Sequence, residues 1–367
     1  MAPPAPETTT AATPSGTGAS AASKKPKEMA EPLSNGAAYQ SVPESYVFPE
    51  HKRPGSSPSS AATIPVVDLG GDDHGEAVEL IMEAGRQFGF FQVVNHGVPD
   101  EVMNEMMSAT EEFFMLPTEE KMTHYSTDGK KLPRFHTSIG NDDEKLLYWR
   151  DCLKLGCYPF EQFKHQWPEK PARLRAALEA YTAAARAVAL RLLRLTAAGL
   201  GLDDGHFEGQ LSGGPVIMNV NHYVPCPDPS VTLGLAPHCD PNLVTLLMDN
   251  GVAGLQTRHG GGGGGWVDVE PLPGALVVNF GHQMEVVSNG GVRGGEHRVV
   301  TNARAARTSL ATFVMPEMGC SVAPAPGLVP DGEAPLYKPY TYQEFLGVYT
   351  SAAGDRDAVM ARFQIKP

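Results

Sequence analysis

Residues 216–229 read VIMNVNHYVPCPDP, residues 233–248 read LGLAPHCDPNLVTLLM and residues 296–316 read EHRVVTNARAARTSLATFVMP. These three runs hold the strand-forming and metal-type residues around which the rest of the chain is arranged. His238 and Asp240 are two apart in a run that goes on as the β-rich NLVTLLM, and residues two apart on a strand leave the same face. His297 follows 59 residues later at the head of the β-branched run HRVVT, which places it on a neighbouring strand of the same sheet. Together they form a 2-His-1-carboxylate set, the facial arrangement that leaves coordination positions open at ferrous iron. Ten residues past His297 come Arg307 and Ser309, which share a strand face by the same period. A guanidinium grips a carboxylate through two parallel charge-assisted hydrogen bonds, and a serine hydroxyl adds a third. A metal claw beside a carboxylate clamp points to a keto-acid cosubstrate.

Short alternating strands separated by turn signals across residues 215–320 predict a double-stranded β-helix, or jelly roll, spanning 211–350. The fold class is α+β, with helices from residues 61–210 and a C-terminal helix at 351–367 packed outside that core. ATIPVVDLGG (62–71) reads as a first strand, and from Gly75 a period of 3.6 sets in with Val78, Ile81, Met82 and Gly85. FGFFQVVNHG (88–97) is a buried strand. DEVMNEMMSATEEFF (100–114) is a helix with Val102, Met106, Ala109, Phe113 and Phe114 inward. The longest helix is expected over 171–200, its stripe running through Leu174, Leu178, Tyr181, Ala185, Val188, Leu192 and Leu195. Residues 117–160 look irregular and dotted with aromatics: either a substrate lid or a plain connection. The glycine run 260–265 lacks the strand-before, helix-after setting of a phosphate loop and reads as a flexible hairpin insertion.

Residues 1–60 are rich in Ala, Pro, Ser, Thr and Gly, a composition that buries too little surface to offset its ordering entropy. They read as a disordered tail, with SVPESYVFPE (41–50) docking on the domain, and removal of the first 40 residues is expected to leave folding nearly intact. A formal charge of −13 argues against nucleic acid as a partner. No apolar run reaches the roughly 20 residues a bilayer span requires. Five cysteines without a framework spacing fit reduced thiols in a cytoplasmic monomer, with plastid import through the Ser-rich tail as the alternative. Cys239, between two metal-type residues, faces away from them and packs.

FGFFQVVNHGVP (88–99), NHYVPCPDP (221–229), LGLAPHCD (233–240), SNG (288–290), EHRV (296–299) and the R-x-S at 307–309 stand together in an order that resembles the plant Fe(II)/2-oxoglutarate-dependent dioxygenases. The likeness covers roughly residues 60–350. LSGGPVIMNVNHYVPCP and YWRDCLKLGCYP are most similar to the branch that contains hyoscyamine 6-hydroxylase and deoxymugineic acid dioxygenase. The resemblance implies Fe(II) on His238, Asp240 and His297, 2-oxoglutarate and O2 as cosubstrates, and ascorbate as reductant. It implies that Arg307 and Ser309 grip the far carboxylate, with Tyr223 as a further donor and Asn221 nearby. The implied reaction is hydroxylation of a small specialised metabolite or hormone with release of succinate and CO2; desaturation or ring closure of a flavonoid-type substrate is the alternative. Phe135, His136, Trp149 and Phe313 are the expected walls of the substrate pocket. Three positions depart from the family pattern: His282, Gly294-Gly295 and Val224. Two readings from other classes stay open, a zinc hydrolase on the same three ligands and a non-catalytic metabolite receptor. The hydrolase leaves Arg307 and Ser309 unexplained.

Overall fold

Runs of period 2 become strands and runs of period 3.6 become helices in this computed structural model, which describes residues 1, 31–35, 39–55, 62–71, 74–138, 146–260, 264–352 and 354–365. The first half contributes β1 (Val66–Asp68), α1 (His74–Gln87), β2 (Phe90–Val94), α2 (Asp100–Met115), α3 (Thr118–Met122), β3 (Arg134–Thr137), β4 (Asp151–Tyr158), α4 (Phe160–Phe163) and α5 (Leu174–Gly199). The second half contributes β5 (Val216–Tyr223), β6 (Leu233–His238), β7 (Val244–Asp249), β8 (Leu255–Arg258), β9 (Trp266–Asp268), β10 (Leu276–Phe280), α6 (His282–Val287), β11 (His297–Val300), β12 (Arg307–Val314), β13 (Ser321–Val322), β14 (Tyr340–Thr341), α7 (Tyr342–Ser351) and α8 (Arg356–Met360).

From β5 to β12 the chain passes back and forth between two sheets. Strands β5, β7, β10 and β12 lie in the larger, ordered β1-β2-β10-β7-β12-β5-β4-β3, and β6, β8, β9 and β11 form the smaller, ordered β6-β11-β8-β9. This is the jelly roll that the spacing of strands predicts. Because β1 to β4 extend the larger sheet at both edges, residues 61–210 share one sheet and one core with residues 211–350.

The larger sheet sorts its side chains by parity. Leu153, Leu155, Met218, Val220, Leu246 and Leu310 face outward into the main apolar cluster, where α5 covers them together with α1 and α2. All seven residues of the predicted α5 stripe are buried. Truncating one of them, such as Leu192, would cost roughly 2–5 kcal/mol in lost transfer energy and cavity formation. The intervening residues Lys154, Asn219, Asn221, Leu247 and Ala311 face inward and line a cavity between the sheets.

Four expectations need correction. The stretch 117–160 is not merely irregular, because DCLKLGCY is β4, paired along β5 from Asp151↔His222 to Tyr158↔Val216. Its inward Lys154 breaks the apolar pattern that marks a buried strand. The tail is ordered from earlier than residue 60: Leu33, Tyr46 and Phe48 are buried on the domain. Ser34 donates N–H and Oγ–H to Asp151 Oδ2 at 2.8 and 2.6 Å, Leu33 N–H donates to Oδ1 at 3.1 Å, and Thr137 Oγ at 2.6 Å completes the set. Lys121 closes the latch from the other side, reaching Ser34 O, Ser34 Oγ and Phe114 O. The disorder expected for residues 2–30, 36–38 and 56–61 lies outside the described residues. At the C-terminal end there are two helices in place of one over 351–367: the backbone turns at Gly354 with φ +78°, and Asp355 then caps α8 through Ala358 N–H at 2.8 Å. Strands β8 and β9 pair with Arg258 opposite Trp266, so the glycine run joins a hairpin. The flexibility expected of that run falls on residues 261–263, outside the described residues. The expected pocket wall is the fourth: Phe135, His136 and Trp149 do not line the cavity.

Candidate active site

Strands β6 and β11 pair antiparallel with His238 directly opposite His297. Asp240 is not on the same strand as His238, as the two-residue spacing suggests; β6 ends at His238, and Asp240 sits in the turn to β7. Pro241 has no N–H with which to extend the ladder, which fits a strand ending there. The turn still delivers the carboxylate, and donor atoms of all three residues lie within 4.8 Å of one another. The imidazole rings are 4.2 Å apart, centroid to centroid, and His238 Nε2 is 3.6 Å from Asp240 Oδ1.

The donors are oriented by their other contacts. His238 Nδ1 bonds Ala236 O at 2.8 Å and His297 Nδ1 bonds Gly295 O at 3.1 Å, which fixes each ring and leaves both Nε2 atoms for the shared centre. Asp240 Oδ2 accepts from Thr245 Oγ–H at 2.6 Å and Asn279 Nδ2–H at 2.9 Å, so Oδ1 is the oxygen left over. Burial by itself would raise the Asp240 carboxyl, but His297, His238 and the Thr245 hydroxyl hold it well below the usual carboxylate range. Burial and the neighbouring His238 lower the His297 imidazole to about 4, keeping a lone pair available near neutral pH. Two imidazoles and one ionised carboxylate on one side of a cavity suit a divalent ion such as Fe(II) with open positions opposite.

The turn before His297 explains one departure from the expected pattern. A Cβ at Gly295 would lie 2.4 Å from the Phe90 ring, and that ring packs edge-on against His297 at 5.2 Å. Glycine thus admits the aromatic that backs the histidine. Glu285 holds the same turn, accepting Gly294 N–H at 2.7 Å and pairing with Arg356 of α8 at 2.6 and 2.8 Å. Cys239 is buried with its Sγ 3.5 Å from Gly294 O. His282 is buried with neither ring nitrogen hydrogen-bonded.

On β12 and β5, Arg307 stands opposite Tyr223 and Ser309 opposite Asn221, so the four side chains share the inward face. Arg307 is 2% exposed; its Nη1 donates to Ser309 Oγ at 2.8 Å and its Nε to Val252 O at 3.0 Å. Asp249 Oδ2 is 3.6 Å from Nη2, beyond hydrogen-bond reach. A guanidinium carries five N–H donors, so three remain for a ligand. Its carbon lies 5.6 Å from the centre of the Tyr223 ring. Arg150 Nη1 donates to Asn221 Oδ1 at 3.0 Å.

His238, Asp240 and His297 share one cavity of about 1420 Å³ with Asn221, Tyr223 and Ser309, more than a single small ligand occupies; Arg307 is buried at its wall, bonded to Ser309. Tyr342, Leu346 and Tyr349 of α7 close one side of it, and the Tyr349 hydroxyl bonds Cys239 O at 2.9 Å. Phe313 lines it. Phe135 and Trp149 do not. Phe135 is on the outward face of β3, 6.1 Å from Phe113 and 6.4 Å from Phe114 in the core. Trp149 packs between Tyr39 and Tyr46 of the N-terminal segment and donates Nε1–H to Val224 O at 3.0 Å. His136 is on the inward face but buried behind the cavity lining, its Nδ1 without a hydrogen bond. Sequence reasoning missed Thr245, Asn279, Arg150 and Lys154. Single polar residues inside otherwise apolar β runs, as in LVTLLM, LVVNF and DCLKLGCY, were the available signal, since a buried polar group needs a partner.

Residues 215–316 match the model of the 2OG-Fe(II) oxygenase superfamily, and residues 64–170 match that of the non-haem dioxygenase in morphine synthesis N-terminal region. The chain is 43% identical to 2'-deoxymugineic-acid 2'-dioxygenase of Hordeum vulgare, covering 85% of this chain and 91% of that one. It is 38% identical to hyoscyamine 6-dioxygenase of Hyoscyamus niger, over 89% of this chain and 96% of the relative. Among solved structures, that of JOX2 in complex with 2OG, Fe and JA superposes with a TM-score of 0.81 at 31% identity, over 91% of this chain and 96% of the other.

Proposed function

Because this chain belongs to the 2-oxoglutarate and Fe(II)-dependent oxygenase superfamily, we propose that His238, Asp240 and His297 hold its iron and that Arg307 and Ser309 hold the distal carboxylate of 2-oxoglutarate. The protein is a 2-oxoglutarate-dependent oxidoreductase whose relatives oxidise specialised metabolites and hormones. The observation behind the assignment of residues is the shared cavity: the three donors line one space with Ser309, Tyr223 and Asn221, with room for a second molecule, and Arg307 is bonded to Ser309 at its wall.

Iron bound there would supply the oxidising chemistry, consuming O2 and 2-oxoglutarate and releasing succinate and CO2. The protein positions and shields. Arg307 offers its remaining N–H groups and Ser309 its hydroxyl to a carboxylate, Tyr223 contributes a hydroxyl whose pKa burial raises, so that it stays a donor, and Asn221 borders them. Leu235, Leu255 and Val299 from the smaller sheet keep that end apolar, which strengthens every charge contact made inside it. Helix α7 covers the side nearest Asp240 and limits water entry. In this reading the reaction is hydroxylation of a small organic metabolite, ascorbate keeps the metal reduced, and the enzyme acts as a monomer in the cytoplasm. Five buried cysteines with no disulfide among them suit a reducing compartment, and among the described residues no helix is long and apolar enough to cross a membrane.

The test is succinate release on a metabolite panel with Fe(II), ascorbate and 2-oxoglutarate, alongside metal analysis of the purified protein. Tight zinc with no consumption of 2-oxoglutarate would return the zinc hydrolase to first place.

A further inference from the structure

The charge of the cavity is opposite to that of the molecule. The chain carries a formal charge of −13, yet among the described residues the cavity is lined by Lys130, Lys131, Arg150 and Lys154, and the one lining carboxylate among them is Asp240, within the metal cluster. Behind Gly129, Arg134 adds another guanidinium: a Cβ on that glycine would lie 3.6 Å from Arg134 Nη1.

Three of these cations stand on adjoining backbone. Arg134 and Lys154 are cross-strand partners on β3 and β4, and Arg150 precedes β4. Among the described residues Lys154 and Arg134 have no ion pair or side-chain hydrogen bond, and the Nε atoms of Arg134 and Arg150 are buried without a partner. Among the described residues Asp128 is the carboxylate whose charge acts on Arg134, and its Oδ1 already accepts Lys130 N–H at 2.9 Å. The imidazole of His136 is pushed down to about 2, by burial first and then by Arg134, Arg150 and Lys154, so the three charges surround one region. Burying unpaired cations is costly unless an anion arrives to pair with them.

The cosubstrate does not account for them all. Lys154 and Arg134 lie on strands two and three removed from β12, about 10 and 15 Å at ~4.8 Å per strand, whereas the clamp of Arg307 and Ser309 is on β12 itself. Phe163, Phe313, Met315, Met318 and Leu346 complete the same cavity with apolar surface. We propose that Lys154, Arg134 and Arg150 form a seat for a carboxylate of the organic substrate, so that the enzyme selects small organic acids with an apolar body. The proposal rests on the oxygenase reading of the site and deepens it.

Calorimetric titration of the protein loaded with Mn(II) and 2-oxoglutarate tests it without turnover. The probes are cinnamate, phenylacetate and decanoate, each against its methyl ester. At least one acid is expected to bind about tenfold or more tighter than its ester, as a charge-assisted pair provides. Lys154→Gln should remove roughly tenfold to a hundredfold of that affinity without weakening the ester, and Lys154→Arg should keep the preference. Equal binding of every acid and its ester, or binding of no acid, would overturn the seat. So would a Lys154→Gln protein whose affinity for 2-oxoglutarate falls as far as that for the acid, because the cation would then belong to the cosubstrate. Failure of the parent to bind 2-oxoglutarate would sink the oxygenase reading separately, and acid-over-ester selectivity would still support the seat.

Discussion

Thr245 donates its hydroxyl proton to Asp240 Oδ2 across 2.6 Å, from the next strand and five residues along the chain. Asn279 brings an amide N–H to the same oxygen at 2.9 Å, so the carboxylate presents Oδ1 to the histidines. Thr245→Val removes one orienting bond and keeps the volume. Metal affinity, measured by Mn(II) titration, should fall about 10–100-fold, with the melting temperature of the metal-free protein changed little. An affinity equal to the parent's would deny the hydroxyl this role.

Arg307→Lys keeps the charge but replaces a planar fork with a single ammonium. The concentration of 2-oxoglutarate needed for half-maximal succinate release should rise by about tenfold or more, and Mn(II) affinity should stay near that of the parent. A cosubstrate requirement that does not move would place the clamp elsewhere, with Arg150 the first alternative.

Removal of residues 1–38 strips Asp151 of three of its four hydrogen-bond donors and Lys121 of two acceptors. Asp151 is fully buried, and burial already raises its pKa. The truncated protein should lose roughly 2–4 kcal/mol of stability, contrary to the expectation that the tail is dispensable. Chemical denaturation of the truncation in the Asp151→Asn background checks the cause. The penalty should shrink there, because the group left unsatisfied is neutral; an undiminished penalty would put the loss in the burial of Leu33 against Tyr46, Trp149 and Cys226.

His222 stacks on Phe114 at 4.7 Å and bonds Thr308 Oγ1 at 3.0 Å, facing away from the cavity. Burial and then Lys121 lower its pKa from 6.5 to about 4. The unfolded chain therefore binds this proton first, and stability falls as pH drops from 6.5 towards 4. Full expression of the shift corresponds to roughly 3 kcal/mol. His222→Gln should flatten the fall in denaturation free energy across that window relative to the parent; other buried histidines contribute to both proteins and cancel. Parallel curves for the two proteins would show that His222 is not the group that titrates.

The period-2 runs of the second half made the jelly roll legible, because a half-buried strand must alternate and a one-residue slip would turn its apolar set to water. The same parity puts Arg307, Ser309, Tyr223 and Asn221 on one face, with Arg307 opposite Tyr223 and Ser309 opposite Asn221 where β12 pairs with β5. Parity also accounts for the misplaced pocket wall. Phe135 stands one residue from Arg134 and His136, and in a strand one residue is the difference between core and cavity.

Local sequence determined the strands, the long helix and the residue types available for chemistry, since hydrophobic period and side-chain identity act over a few residues. Tertiary structure alone decided three things: that Asp240 is turned by Thr245 and Asn279, that Ser34 meets Asp151 across 117 positions, and that Lys154, Arg134 and Arg150 surround one space. Each depends on which strands lie side by side, and strand order comes from packing two sheets and α5 around shared apolar faces, a long-range balance that no local run of residues encodes.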